Sequence, residues 1–196
     1  MTEPTEAPSE PTRCKVAFIG SHGVGKTTLC YGLAARLKSE DLALEVVHEV
    51  ARRCPLPVNE ETGVASESWI LHTQIAEEIL AYHRYPVVIC DRSALDNYVY
   101  LLLSDGPQEG LELLVNWWMD SYDLLIRVPI CDGPSADGFR SENPAFQRAV
   151  DERLEVELER RGLEALHLDP ENRAGWLECA TTAVLQRLAP AQLRLL

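Results

Sequence analysis

The sequence predicts a three-layer α/β fold, a five-stranded parallel sheet flanked by helices, from two observations. Five short apolar runs alternate with stretches that carry apolar residues at helical spacing. The first run, Val16 to Ile19, leads directly into Gly20-x-x-x-x-Gly25-Lys26-Thr27 and then into a helical pattern at Leu29, Leu33 and Leu37. Strand, glycine-rich loop and helix stand in the order that a phosphate-binding loop requires.

The remaining elements follow in turn. Residues 1–13 are rich in Pro, Glu and Thr with little apolar content, and read as a flexible acidic tail ahead of a single domain over 14–196. Leu42 to Val47 is the second strand. A helix runs from Ser66 to about Arg84, with Leu71, Ile75 and Ile79 on one face, and Pro86 ends it. Val87 to Cys90 forms the third strand, buried on both faces as its unbroken apolar run implies. Helices are expected over Ala94 to Leu103 and Leu111 to Met119, separated by Asp105-Gly106-Pro107. Leu124 to Val128 is the fourth strand. Residues 131–143 are a Gly/Ser/Asp-rich loop, and Asn143-Pro144 supplies the cap and first position of a helix bearing Phe146, Val150 and Leu154. A fifth strand, Ala165 to Leu168, and a last helix, Arg173 to Leu188, complete the chain.

The loop at 20–28 has a chemistry of its own. Gly20, Gly23 and Gly25 let the backbone turn tightly enough to aim N–H groups at phosphate oxygens. The remaining residues of the cradle are Ser21, His22, Val24 and Thr28; no chemistry is assigned to the His22 side chain. The helix that follows adds the partial positive charge of its N-terminus. Lys26 reaches the β- and γ-phosphates, and the Thr27 hydroxyl is placed for Mg²⁺. The expected ligand is a nucleoside triphosphate.

Composition narrows the partners. A net charge of −13, with no run of Lys and Arg, disfavours a polynucleotide as the main partner. A small phosphorylated ligand needs only a few placed arginines. No apolar run is long enough to span a bilayer, and no signal peptide precedes the first strand. The six cysteines form no C-x-x-C pair and read as free thiols, Cys30 and Cys90 among them buried, which fits a cytoplasmic setting.

In parallel α/β sheets ligands bind beyond the carboxyl ends of the strands. Those ends carry Gly20, Glu49, Asp91, the 129–143 loop and Asp169. Phosphoryl transfer needs a metal-orienting acid, a group that prepares the acceptor, and cations that spread transition-state charge. Asp91, after Val-Val-Ile-Cys, has the pattern of a metal-facing carboxylate. Arg92 beside it suits a phosphate or a surface ion pair, and Ser93 a helix cap. Glu49 ends the second strand with Arg52 and Arg53 close behind, and can accept a proton from an acceptor hydroxyl. Arg140 lies in a loop suited to be a lid around 131–145. Arg148 and Arg153 on the next helix could contribute charge or pair with Glu152 and Glu157. Trp69, Thr73 and Gln74 would fit a flat ring, and equally well apolar packing with a surface amide. Trp117 and Trp118 read as core.

Taken together, Gly20-Ser21-His22-Gly23-Val24-Gly25-Lys26-Thr27-Thr28, His48-Glu49-x-x-Arg52, Cys90-Asp91-Arg92-Ser93-x-x-Asp96 and Asp137-Gly138-Phe139-Arg140 resemble the small AAA-type ATPases related to nicotinamide riboside kinase domains. More distantly they resemble deoxynucleoside and thymidylate kinases. The resemblance covers about residues 14–188. It implies the sheet order 2-3-1-4-5, Glu49 and Asp91 as base and metal-side acid, Arg92 on substrate phosphate and Arg140 in the lid. There is no nucleotidyltransferase domain and no Asn/Thr-Lys-x-Asp guanine motif. The expectation is an ATP- and Mg²⁺-dependent phosphotransferase acting on a small nucleoside- or nucleotide-like hydroxyl. A regulatory NTPase acting on a protein partner is the alternative, and a polynucleotide 5′-kinase ranks behind both.

Overall fold

The computed structural model of the chain describes residues 12–133 and 141–189. Most of the expected tail therefore lies outside the described residues, as do positions 134–140 of the expected lid, Arg140 included. The strands are β1 (Cys14–Ile19), β2 (Leu44–Val47), β3 (Val87–Asp91), β4 (Leu124–Arg127) and β5 (Leu166–His167). The helices are α1 (Lys26–Ser39), α2 (Val64–Arg84), α3 (Ala94–Ser104), α4 (Glu109–Met119), α5 (Pro144–Arg161) and α6 (Trp176–Leu188).

All strand pairs are parallel, in the order β2-β3-β1-β4-β5, as the resemblance implied. Successive side chains of β1 point to opposite faces. Ala17 and Ile19 therefore enter a core shared with α2, α3, α4 and α5, while Cys14, Val16 and Phe18 enter one shared with α1 and α6. The register sets Phe18 beside Asp91 and Ile19 beside Arg127. Three strand ends are thereby brought to the same level. Among the described residues, no helix is long and apolar enough to cross a membrane.

The helix starts follow their sequence signals. Ser93 accepts from the Asp96 N–H and Asp96 accepts from the Ser93 N–H, a reciprocal cap at the start of α3. Asn143 caps α5, with Pro144 in its first turn. α3 is buried on every side from Ala94 to Leu102, its polar residues Asp96, Asn97 and Tyr100 included.

Several expectations need correction. β2 is shorter than expected, and β5 has only two residues. Short 3-10 turns at Val50–Arg53 and Asn59–Glu61 fill the stretch between β2 and α2, and Arg173–Gly175 is a third turn rather than the start of α6. Ile79 is exposed although Leu71 and Ile75 are buried. Of the tryptophan pair only Trp118 is core; Trp117 is 64% exposed.

Trp118 has a polar reason to be inside. Its indole N–H donates to Glu78 Oε2 at 2.7 Å, and that carboxylate is fully buried. Glu78 also accepts from Lys15 Nζ (3.1 Å), the Tyr122 hydroxyl (2.7 Å) and Gln74 Nε2 (2.8 Å). Lys15 in turn lies 4.3 Å and 4.5 Å from the ring centres of Trp118 and Tyr122. A buried ion pair persists only when its remaining positions are bonded in this way.

Candidate active site

The loop between β1 and α1 is shaped by its glycines. Gly20 has φ +146°, and a Cβ there would stand 2.6 Å from Val128 O and 2.9 Å from Arg127 Nη1. No larger residue fits. Gly25 opens α1 at φ +96° and offers no side-chain cap, which leaves the first-turn N–H groups for a ligand. The loop is braced from outside by partners the sequence reading did not assign. The Gly20 N–H donates to Asp96 Oδ1 at 2.8 Å. Ser21 Oγ donates to Gln147 O and Gln147 Nε2 donates to His22 O, both at 2.8 Å. His22 Nδ1 is 3.1 Å from the Tyr100 hydroxyl, and its ring lies against Phe146.

Lys26 is buried and bends back to donate to Gly20 O (2.7 Å) and Ser21 O (2.6 Å). Burial pushes its pKa down to about 7, and Arg92 pushes the same way, against the pull of Asp96, Asp91 and Glu49. Thr27 Oγ1 donates to Asp91 Oδ2 at 2.5 Å. This hydroxyl and carboxylate would suit a hard divalent cation of the Mg²⁺ type, and the uncapped helix N-terminus beside them suits an anionic phosphate.

On the other side of Asp91, Arg92 sits at φ +96°, a left-handed backbone that non-glycine residues seldom adopt. It is buried: its Nε donates to Glu49 Oε1 at 2.7 Å, and its guanidinium carbon lies 5.3 Å from the centre of the Tyr100 ring. Arg52 Nε donates to the other Glu49 oxygen at 2.9 Å. Of the two expectations for Arg92, a phosphate contact or a surface ion pair, the second is corrected: the pair it makes with Glu49 is an interior one. Its unusual backbone is held by Gln74, whose Nε2 donates to Arg92 O at 2.9 Å as well as to Glu78, and whose Oε1 accepts from Asn97. The amide expected to pair with a flat ring is thus engaged at both ends within the protein, and the half-buried Trp69 and Thr73 lie on the same helix.

A small cavity of about 20 Å³ opens beside the Glu49–Arg92 pair, lined also by Glu67, Ile70, Asn97 and Tyr100. Glu67 Oε1 accepts from Thr62 Oγ1 at 2.7 Å. Its Oε2 is buried with no hydrogen-bond partner among the described residues. Burial pushes the Glu67 pKa up to about 7, against the opposing pull of the Thr62 bond and Arg92.

The structure thus brings Lys26, Thr27, Asp91, Arg92, Glu49 and Arg52 together. Arg148 stands exposed on α5, whereas its neighbour Gln147 reaches the loop. Arg153 pairs with Glu157 at 2.8 Å, the helix-surface alternative. Arg173 was read only as a helix start. It ion-pairs with Asp132 at 2.6 Å, and its Nη2 is 3.9 Å from where a Gly25 Cβ would stand. Asp96 could have been found from the Ser93-x-x-Asp96 capping signature. Glu67 carries no comparable signal, because one acid in an acidic helix start looks like any other.

Comparison with solved structures gives the same fold. A NadR protein in complex with NR aligns at a TM-score of 0.66 and 23% identity, over 90% of this chain and 52% of that one. Thymidylate kinase from Ehrlichia chaffeensis aligns at 0.62 and 16%, over 89% of this chain and all of that one. Deoxyadenosine kinase from M. mycoides with bound dATP aligns at 0.61 and 16%, over 88% and 100%. Comparison with curated proteins by sequence finds no match. The family model for the AAA domain matches residues 15–174, nearly the whole described chain and every strand-end residue of the site, and the chain belongs to that family.

Proposed function

We propose that this protein is a P-loop phosphotransferase, moving the γ-phosphoryl group of ATP, with Mg²⁺, to a hydroxyl of a small nucleoside-like acceptor. The observation that carries the reading is the buried Glu49–Arg92 pair directly after Asp91, whose carboxylate accepts from Thr27 at the end of the phosphate loop. A carboxylate held there is placed to receive an acceptor hydroxyl, which a switch that only hydrolyses nucleotide does not require. The fold shared with a deoxyadenosine kinase and a thymidylate kinase supports this reading.

In this proposal the loop N–H groups and Lys26 hold the triphosphate, and Thr27 and Asp91 would hold the cation. Bound there, Mg²⁺ would neutralise phosphate charge. Arg92 fixes Glu49 through its Nε, and its Nη1 reaches toward the Tyr100 hydroxyl at 3.5 Å. Glu49 accepts the acceptor hydroxyl's hydrogen bond and then its proton. Because Arg52 is 40% exposed at its side chain, it can exchange its Glu49 bond for solvent and so release that oxygen for the acceptor. The cytoplasmic setting read from the cysteines belongs to the same proposal; all six are free thiols.

The test is direct. Labelled ATP is incubated with the protein and, separately, with adenosine, cytidine, thymidine, nicotinamide riboside, the matching monophosphates and an oligonucleotide. Label on a nucleoside supports the reading. Hydrolysis with no labelled acceptor would favour the regulatory NTPase.

A further inference from the structure

We infer that Glu67 is a specificity-determining residue of the acceptor site, reading an N–H or O–H donor on an uncharged nucleoside. This rests on the phosphotransferase reading and specifies which acceptor that site selects. The motivating observation is a carboxyl group 4% exposed, lining the cavity, with one oxygen held by Thr62 and the other buried without a partner. A buried acceptor atom left unbonded costs roughly 1–3 kcal/mol. A ligand that donates to it recovers that loss, so the site favours acceptors able to do so.

The surrounding groups narrow the ligand class. The ionisable side chains facing the cavity are Glu49, Glu67, Arg92 and Tyr100. The one guanidinium among them is bonded to Glu49. A phosphorylated acceptor would meet two acids and an arginine already neutralised, and would be repelled. A neutral nucleoside meets apolar walls at Ile70 and Val58, the Tyr100 ring, and a carboxylate suited to its amino or imino N–H. At about 20 Å³ the cavity admits a water and not a nucleoside. An acceptor must therefore displace the roof formed by Ala51, Val58 and Asn59 from the 3-10 turns after β2. Asn59 already has φ +61°, in the left-handed region that asparagine tolerates.

The experiment measures steady-state transfer from ATP to the nucleoside that the parent labels best, in the parent, Glu67→Gln and Thr62→Val. Loss of a bond to a charged acceptor predicts an acceptor KM raised roughly ten- to a hundredfold in Glu67→Gln, with kcat changed by less than about threefold. The KM for ATP should stay as in the parent. Thr62→Val removes the bond that holds Glu67 from the protein side and should move the acceptor KM by no more than about threefold. If the parent labels a nucleoside and Glu67→Gln leaves its KM unchanged, the assignment of Glu67 is wrong while the kinase reading stands. Equal KM increases in both variants would make Glu67 a brace for the Thr62 segment, and also overturn it. Label on a monophosphate and on no nucleoside overturns the Glu67 assignment while the phosphotransferase reading stands; failure to label any acceptor removes both.

Discussion

Thr27 and Asp91 meet across the mouth of the site, the hydroxyl in the first turn of α1 donating to the carboxylate at the end of β3 at 2.5 Å. The contact joins two elements that are 64 residues apart in sequence. It exists because the parallel register sets Phe18 beside Asp91, so the β1 loop and the β3 end emerge side by side. Asp91→Asn keeps the shape and the hydrogen bond to Thr27 but removes the charge a hard cation needs. The Mg²⁺ concentration for half-maximal turnover should rise about tenfold or more, while the thermal midpoint of the ligand-free protein stays within a few degrees. An unchanged Mg²⁺ dependence would take Asp91 out of the cation site.

Lys26 makes a second prediction through its pKa. In the ligand-free fold that value is lowered to about 7 from an ordinary 10.5. Between those pH values the unfolded chain binds the proton and the folded one does not, so stability rises with pH across the interval and the penalty is full below about 7. Lys26→Met should therefore be more stable than the parent at pH 7 while losing about a hundredfold or more in ATP affinity, if its ammonium holds the triphosphate as proposed. Triphosphate binding should also return the proton to Lys26. Calorimetry near pH 8 in buffers of different ionisation enthalpy should show proton uptake by the parent and not by the variant. Equal ATP affinity in the two proteins would end the phosphate-loop assignment.

Glu67 gives the opposite sign. Its folded pKa is raised to about 7 from 4.5, so the unfolded chain loses its proton first as pH rises. The parent should lose stability between about pH 4.5 and pH 7, and the lost increment should stay lost above it. Glu67→Gln carries no such titration. Denaturant melts at pH 5 and pH 8 should show the variant gaining on the parent at the higher value. A constant difference between the two would mean that the carboxyl titrates at its ordinary value.

The fold was readable because its signals are local and mutually consistent. The apolar run before Gly20, the Ser93-x-x-Asp96 cap and Asn143-Pro144 each act within a few residues. What escaped is the cross-chain bonding that decides which polar groups face a ligand. Gln74 looked available for a ring, and only the fold brings Arg92 O, Glu78 and Asn97 onto its amide. Arg92 suits a phosphate or a surface ion pair by sequence, because nothing local reveals that Glu49, 43 residues earlier, will be its buried partner. Trp117 and Trp118 are adjacent and chemically identical, yet the helix turns one to solvent and the other onto Glu78.

The Glu49–Arg92 bond makes the last prediction a test with two separable readouts. Glu49→Gln preserves size and can still accept one hydrogen bond, but it leaves the Arg92 guanidinium in the interior beside a neutral amide. Removing one partner of a buried pair costs about 3–5 kcal/mol. The retained bond and the exposed Arg52 should hold the loss below that range. If Glu49 serves only to neutralise Arg92, the variant should melt at a lower temperature and transfer phosphate at the parent's kcat once it is folded and saturated. If Glu49 also takes the acceptor's proton, kcat should fall within the 10²–10⁴-fold span of a lost general base. The lower end is expected, because a dissociative transition state asks little of the base. ATP affinity measured by calorimetry should stay near the parent value in either case, if the triphosphate is held by the loop and Lys26 as proposed. A kcat equal to the parent's, alongside a lowered melting point, would assign Glu49 to the scaffold and leave the acceptor hydroxyl without a base.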